Sequence, residues 1–503
     1  MLRTLRGLRH SWRLFGLVWT LIRHDALFLL EPLPQAQPFL RLARFVPKRS
    51  RGRPGERLAS ALRAMGPTFV KFGQSLATRA DLLGDAVARD LARLQDRLPP
   101  FPAEEARATV EADLGRPVEA LFADFADVPV AAASIAQVHF ATTTEGQSVA
   151  VKVLRPGIER ALERDIDFFL WIAERLKWAG GEAAGRLKPV ETVGIFARST
   201  RGEIDLRLEA AAAAELGENC VHDKGFRVPG VDWVRTGRRV VTFERIEGLP
   251  VADRSGLIAA GIDPDRILER AAAVFFNQIF RDGFFHGDMH PGNMLIEKDG
   301  TIVALDFGIM GRLDMDDRRN IARMMAGFLT NDYAAVADTF FAAGFLPEDE
   351  DRAAFTQACR AIGQPIVGLP LAEISFGKLL GQVFAMADRF HMRTQPQLLL
   401  LQKTIVVAEG LGRMLNPRIN MWQTAEPLVE DWVRRHLGPK AELERVVGDS
   451  LHLVRSLPGL ARKADRALDA AVTAGRLAEQ TRRTAWFWPL AIGVAAGLLL
   501  GQF

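Results

Sequence analysis

His286-Gly-Asp288-Met-His-Pro-Gly-Asn293, followed thirteen residues later by Asp306-Phe-Gly308, decides how this chain is read. An Asp stands five residues before an Asn, and a second Asp follows across a predicted short hairpin, Met294 to Glu297 and Thr301 to Leu305. Phosphoryl transfer asks for this set. One Asp accepts or orients the proton of the attacking hydroxyl. The Asn and the second Asp carry Mg²⁺, which neutralises charge building on the transferred phosphate. A lone Asp-Phe-Gly means little, because turns often contain it; the ordered pair at this spacing is far more specific.

Working outward, Ser148-Val-Ala-Val-Lys152-Val is an apolar β-type run with a lysine in it. The bland account is a strand-edge lysine reaching water. The functional account is the kinase strand lysine that grips the α- and β-phosphates and is held by a helix glutamate, and the catalytic pair lies C-terminal to it, as that order requires. A glycine-rich loop should precede the strand. Here the segment is Val130-Ala131-Ala132-Ala133-Ser134-Ile-Ala-Gln-Val-His139. Glycine lets backbone approach phosphates and reach φ > 0, and alanine's methyl obstructs both. The alanine loop should therefore seat nucleotide differently, and an Ala131→Gly change, or one at a neighbour, should raise affinity for ATP. Thr242-Phe-Glu244-Arg-Ile246-Glu-Gly resembles the hinge where backbone groups at Glu244 and Ile246 would meet adenine.

Four signatures, in order over about residues 60–315, make the chain similar to the UbiB/ADCK family of atypical kinase-like proteins of ubiquinone biosynthesis. They are Lys71-Phe-Gly-Gln74, continuing to Ser75, Arg79 and Leu94-Gln-Asp-Arg-Leu-Pro-Pro-Phe-Pro; the alanine loop; Glu203-Ile-Asp205-Leu-Arg-Leu-Glu209-Ala-Ala; and the His-Gly-Asp to Asp-Phe-Gly block. The resemblance implies an α+β, two-lobed protein-kinase-like fold with family-specific N-terminal helices. It implies that Lys152 pairs with Glu209, and that Lys71, with Gln74 nearby in a regulatory motif, pairs with the Glu203/Asp205 acids and lays a helix across the pocket. It puts Asp288 at the catalytic Asp position and Asn293 and Asp306 at the metal positions, with ATP and Mg²⁺ as cofactors. Ala212 stands where the family usually has Asn, and Arg79-Ala80-Asp81 where it often has Arg-Pro-Asp; neither position carries chemistry.

Taken alone, Lys71 would more often be a solvated lysine, and the acids of the predicted long helix Val193 to Asn219 a solvated face. His286 and His290 have poor zinc spacing and no third ligand nearby. His290 sits where many protein kinases place a lysine, which points to small-molecule-kinase or ATPase chemistry more than to peptide phosphorylation.

With 503 residues, 48% hydrophobic and 25% charged, the chain is an ordered globular protein large enough for two lobes plus extensions. Its formal charge of +4 is unevenly spread: residues 1–57 hold twelve Arg or Lys against three Asp or Glu. The interleaved Leu, Phe and Trp there predict a segment lying on an anionic membrane surface, not a nucleic-acid arm or a cleaved signal. The two cysteines, Cys220 and Cys359, belong to no metal or disulfide pattern.

From Ala485 to Phe503 the chain is apolar for about 28 Å of helix. Trp486 and Trp488 sit at one end with Arg482 and Arg483 outside. This predicts one C-terminal transmembrane helix in the inner (cytoplasmic) membrane with the catalytic region cytoplasmic; resembling proteins often carry two. Gly493, Gly497 and Gly501 form a stripe that would allow a homodimer. The expected organisation is 1–57 membrane-surface segment, 58–125 helical extension, 126–250 N-lobe, 251–440 helical C-lobe, 441–484 charged linker and 485–503 span. The expected activity couples ATP hydrolysis to handling prenylated phenol or quinone intermediates, or the other ubiquinone-biosynthesis proteins that modify them. The alternatives are a kinase acting on a protein or small molecule and a non-catalytic nucleotide-binding scaffold. No flavin, haem or iron-ligand signature supports direct hydroxylation.

Overall fold

The computed structural model describes residues 2–28, 31, 37–77, 83–92, 99–179, 188–366, 375–386, 389–392, 395–416, 432, 434 and 435. The chain divides into two compact units, Met1–Val429 and Glu430–Phe503. All elements below belong to the first.

The N-terminal lobe is an antiparallel sheet. Its strands Phe122–Phe125, Ala136–Thr143, Ser148–Leu154 and Val240–Glu244 lie side by side in that order, with the short Ala131–Ala132 pairing back onto Ala136–Thr143. Period-two alternation explains its two faces. Val149, Val151 and Val153 pack with Val110 of helix Ala103–Leu114, Leu121 and Phe125 into one buried cluster. Lys152 therefore points from the opposite face, in register with Val138 on one side and Val241 on the other. A buried clip fixes the extension to this sheet: Gln137 accepts from the Phe101 amide at 3.0 Å and donates to its carbonyl at 3.2 Å and to His139 Nε2 at 2.8 Å.

The predicted helix from Val193 to Asn219 is two helices, Pro189–Glu203 and Leu206–Asn219. Asp205 breaks it. Its backbone is extended, and its carboxylate accepts from the Arg207 amide as the N-cap of the second helix, a role its short side chain fills well. The helix Pro67–Ala77, which carries Lys71, lies against the helices Ile158–Ala179 and Pro189–Glu203. Phe69 and Phe72 meet Phe169 at ring separations of 4.9 and 4.6 Å, and Phe72 meets Phe196 at 5.2 Å. Such pairs contribute about 1 kcal/mol each beyond area burial.

The C-terminal half is helical around two small sheets. Met294–Ile296 and Ile302–Ala304 form the predicted hairpin, flanked by Phe226–Arg227 and Leu249–Pro250. Phe284–His286 pairs antiparallel with Met310–Arg312. Gly311 is required in that pair, because a Cβ there would lie 2.1 Å from the Phe285 ring. The next helix, Met315–Leu329, starts directly after the strand and is capped by Asp314 and Asp317. The chain thus leaves Asp306-Phe-Gly with almost no activation segment. The long helix Pro396–Leu415 then packs back over the catalytic loop: Leu400 fills the space against Gly287, and Thr404 donates to the Gly287 carbonyl at 3.2 Å.

At the N-terminus, the helix Leu2–Arg23 docks on Ile158–Ala179 through His10 to Asp167 at 3.0 Å and Arg13 to Asp165. Its other side shows Trp12, Phe15 and Trp19 to solvent, at 78, 63 and 44% exposure. No helix among the described residues is long and apolar enough to cross a membrane. The stretch Ala485–Phe503, with Gly493, Gly497 and Gly501, lies outside the described residues, so the expected span has no structural support here.

Candidate active site

Lys152 meets Glu209 in a bidentate pair, Nζ to Oε1 at 2.7 Å and to Oε2 at 2.9 Å. Glu209 is in the first turn of Leu206–Asn219 and nearly fully buried. Nζ also lies 3.5 Å from Asp306 Oδ1. Burial opposes the lysine charge, but the carboxylates of Asp306 and Glu209 outweigh it and hold Lys152 above the ordinary lysine range. The Lys152 ammonium in turn holds Asp306 well below the usual carboxylate range. The Gly308 amide, His286 and Lys71 act in the same direction. Lys71 is therefore close enough for its charge to act at the Asp-Phe-Gly carboxylate.

Lys71 pairs with Glu203, the last residue of its helix. Asp205, expected to share that lysine, does not: its carboxylate faces Arg207, with contacts of 2.8 and 2.6 Å. The physical reason is the helix break, which makes Asp205 a cap. Gln74 is half-buried on the Lys71 helix. Arg79 lies outside the described residues.

The catalytic loop is held by short-range bonds. The Asp288 amide donates to His286 Nδ1 at 3.0 Å, and Asn293 Nδ2 donates to the Asp288 carbonyl at 3.1 Å. His286 is buried, its amide donating to Gln278 Oε1 at 3.0 Å, and burial lowers its pKa. Phe307 is buried against the His286 and Phe243 rings, each 5.9 Å away. Across the hairpin Met294 faces Ala304, and the Leu305 amide donates to the Asn293 carbonyl at 3.0 Å, which brings Asn293 beside Asp306. With its Nδ2 engaged, the Asn293 amide oxygen is the end left for a cation. One depressed carboxylate and one amide oxygen are hard oxygen donors, which suits Mg²⁺. No group of three or more His, Cys, Asp or Glu among the described residues forms a metal cage. The pair fits a cation that takes its other ligands from phosphates and water.

The alanine segment is a hairpin tip, not an open loop. Ala131 and Ala132 pair with Val138 and Gln137, and the Ala133 amide donates to the Ala136 carbonyl at 2.8 Å. None of Ala131, Ala132, Ala133 or the buried Ser134 has positive φ. This conformation therefore makes no demand that only glycine could meet, and the methyl groups are the whole difference. At the hinge, the Glu244 side chain is held by Arg227 at 2.8 and 3.0 Å, and its amide donates to Gly230. Ile246 makes no backbone hydrogen bond among the described residues, which leaves its amide and carbonyl for a base.

One contact has no local signature in the sequence. Lys403 Nζ lies 2.8 Å from Asp288 Oδ1. Lys403 is on Pro396–Leu415, more than a hundred residues from Asp288. The available signal was a lone lysine within the apolar run Leu398 to Val407.

Residues 93–340 match the family model described as ABC1 atypical kinase-like domain, and residues 359–420 the one described as UbiB helical domain. A protein of Marinobacter nauticus named "Probable protein kinase UbiB" is 41% identical over 520 residues, covering 97% of this chain and 93% of its own. One of Shewanella piezotolerans with the same name is 42% identical over 411 residues, covering 81% and 75%. A Mycobacterium tuberculosis protein solved in complex with erythromycin aligns at 23% identity and a TM-score of 0.45, covering 79% of this chain and 96% of that one.

Proposed function

We propose, from the premise that this chain belongs to the UbiB family of atypical kinase-like proteins, that it binds Mg-ATP between its lobes and turns it over in support of ubiquinone biosynthesis. The observation that carries this reading is the convergence of Lys152, Glu209 and Asp306 within 3.5 Å of the lysine nitrogen, with Asn293 beside Asp306. Lys152 would orient the phosphates, and Glu209 fixes Lys152. Asn293 and Asp306 would hold Mg²⁺, which when bound supplies charge neutralisation on the phosphoryl oxygens. Asp288 would take the proton of the attacking oxygen. The Lys71 helix and the absence of a long segment between Gly308 and Met315 support a small or lipid acceptor, or water, over a docked peptide.

The membrane reading rests on Trp12, Phe15 and Trp19, spaced three and four residues apart on one exposed stripe of a basic helix, with Phe39, Leu42 and Phe45 exposed nearby in sequence. Aromatic and leucine side chains beside arginines suit an anionic lipid surface. A prenylated phenol would be met there without leaving the bilayer. The test is phosphate release from ATP by the full chain, with and without anionic vesicles carrying a prenylated phenol. Asp288→Asn should cut turnover about a thousandfold while nucleotide still binds. Unchanged turnover would leave the scaffold reading; labelled phosphate on an acceptor would select the kinase reading.

A further inference from the structure

We infer that Lys403 completes the phosphoryl-transfer site from outside the kinase-like domain, as the cation beside Asp288. This rests on the phosphotransfer reading above and adds a residue to it. The position two after Asp288, where many protein kinases carry a lysine, is His290. That ring is turned back onto its own loop: Nδ1 accepts from the Gly292 amide at 2.9 Å, capping the turn Pro291–Asn293. The loop itself thus places no ammonium beside Asp288, and Lys403 does, with Nζ 2.8 Å from Oδ1.

The placement is built. Leu400, Lys403 and Thr404 are spaced i, i+3 and i+4, so they share one helix face. Leu400 packs on Gly287, where any Cβ would come within 2.8 Å of it. Thr404 bonds the Gly287 carbonyl, and Lys403 reaches the next side chain. The helix is anchored at its far end, where Arg254 donates to the Leu415 carbonyl at 2.8 Å and Asn416 to Asp265 at 2.6 Å. Lys403 keeps 40% side-chain exposure and Asp288 28%, so the pair is open to a substrate.

The chemistry follows from donor counts. Asp288 Oδ1 is occupied by the ammonium, so Oδ2 is the oxygen left to take the proton of the attacking water or hydroxyl. As that O–P bond forms and the bond to the ADP leaving oxygen breaks, the leaving electron pair stays on ADP. An ammonium has three N–H groups, and the two that Asp288 does not use are available to the oxygens of the transferred phosphoryl group.

The experiment compares Lys403→Met, Lys403→Arg and the double variant His290→Lys/Lys403→Met with wild type and Asp288→Asn, in the full chain. Lys403→Met should lower kcat about a hundredfold, with KM for ATP and the binding of a fluorescent ATP analogue within threefold of wild type. Lys403→Arg should keep part of the rate, and the double variant should regain at least tenfold over Lys403→Met. Wild-type turnover in Lys403→Met overturns the inference, and so does faster turnover, which would make the contact a brake. Equal loss of nucleotide binding and melting temperature in Lys403→Met, with no recovery in the other two, makes Lys403 a strut and also overturns it. If Asp288→Asn turns over normally, or wild type does not turn over, the phosphotransfer reading itself fails.

Discussion

Two lysine–carboxylate contacts, Lys152–Glu209 and Lys403–Asp288, are built differently. Lys152 and Glu209 form a bidentate pair on the floor of a sheet, with 19 and 6% side-chain exposure. Lys403 and Asp288 touch through one oxygen and remain open, at 40 and 28%. The first pair is enclosed by strands in register and a capped helix. The second joins a tight loop to a helix contributed by a different family segment. Enclosure makes the first contact part of the fold as well as of the proposed site. Openness leaves the second exposed to solvent, where the proposed function would have substrate meet it.

The largest effect should come from breaking the enclosed pair. Lys152→Met would leave Glu209 buried without a counter-charge, which costs about 3 kcal/mol, and would abolish nucleotide binding together with lowering the melting temperature. Lys403→Met, by contrast, should leave the melting temperature nearly unchanged. If both variants melt alike, the two contacts do not differ in the way proposed. The pH dependence has a defined sign. The Asp306 carboxyl is held below its ordinary value of 3.8, so its contribution to stability is present above that value and lost as pH falls through the depressed one. Lys152 is held above 10.5, so its contribution is present below that value and lost as pH rises through the raised one. The stability difference between wild type and Asp306→Asn should therefore shrink in acid, as Asp306 protonates, and again in alkali, as Lys152 loses its proton. A difference that stays constant at both extremes would count against the ionised cluster.

The same contrast explains what the sequence made legible. Lys152, Asp288, Asn293 and Asp306 sit in local patterns whose spacing is tied to strands and hairpins, and local spacing survives in a linear reading. Strand alternation puts Lys152 opposite Val151 without any knowledge of the tertiary fold. The Asp205 break was hidden because the flanking residues, Glu203 to Ala214, are good helix formers. Only the N-cap geometry reveals that the chain turns there, and it separates Glu203 from Glu209. Lys403 was hidden for another reason: its meaning depends on Gly287 lying under Leu400, a contact no periodicity encodes. The lack of glycine in the alanine segment is legible in the sequence, but its pairing as a hairpin is not, because two-residue strands carry no period.

Lys71 and Glu203 provide an intermediate case, at 15 and 13% exposure on helices instead of strands. Lys71→Met should cost about 1–2 kcal/mol and change nucleotide affinity, since the Lys71 charge acts at Asp306. Thermal melting and nucleotide titration measure the two parts; affinity equal to wild type would place Lys71 outside the site. Ala133→Gly should act more weakly. It removes a methyl at the hairpin tip and should raise ATP affinity about threefold, while the added chain freedom costs about 0.5–1 kcal/mol of stability. Unchanged affinity would mean that the methyl does not face the phosphates.

The smallest effect uses the two cysteines as reporters of the two regions. Cys220 is the C-cap of the helix that carries Glu209, and Cys359 lies on Arg352–Gly363, where the helical-domain match begins. Burial pushes each thiol up to about 12, so almost no thiolate exists at pH 8, and a disulfide reagent should react only when a region opens. Both should be slow in the native protein and fast in denaturant. Mg-ATP bound against Lys152 should tighten the Glu209 helix and slow Cys220 more than Cys359. Equal slowing would show that the enclosed and open contacts respond as one unit, and the distinction between them would then belong to geometry alone and not to dynamics.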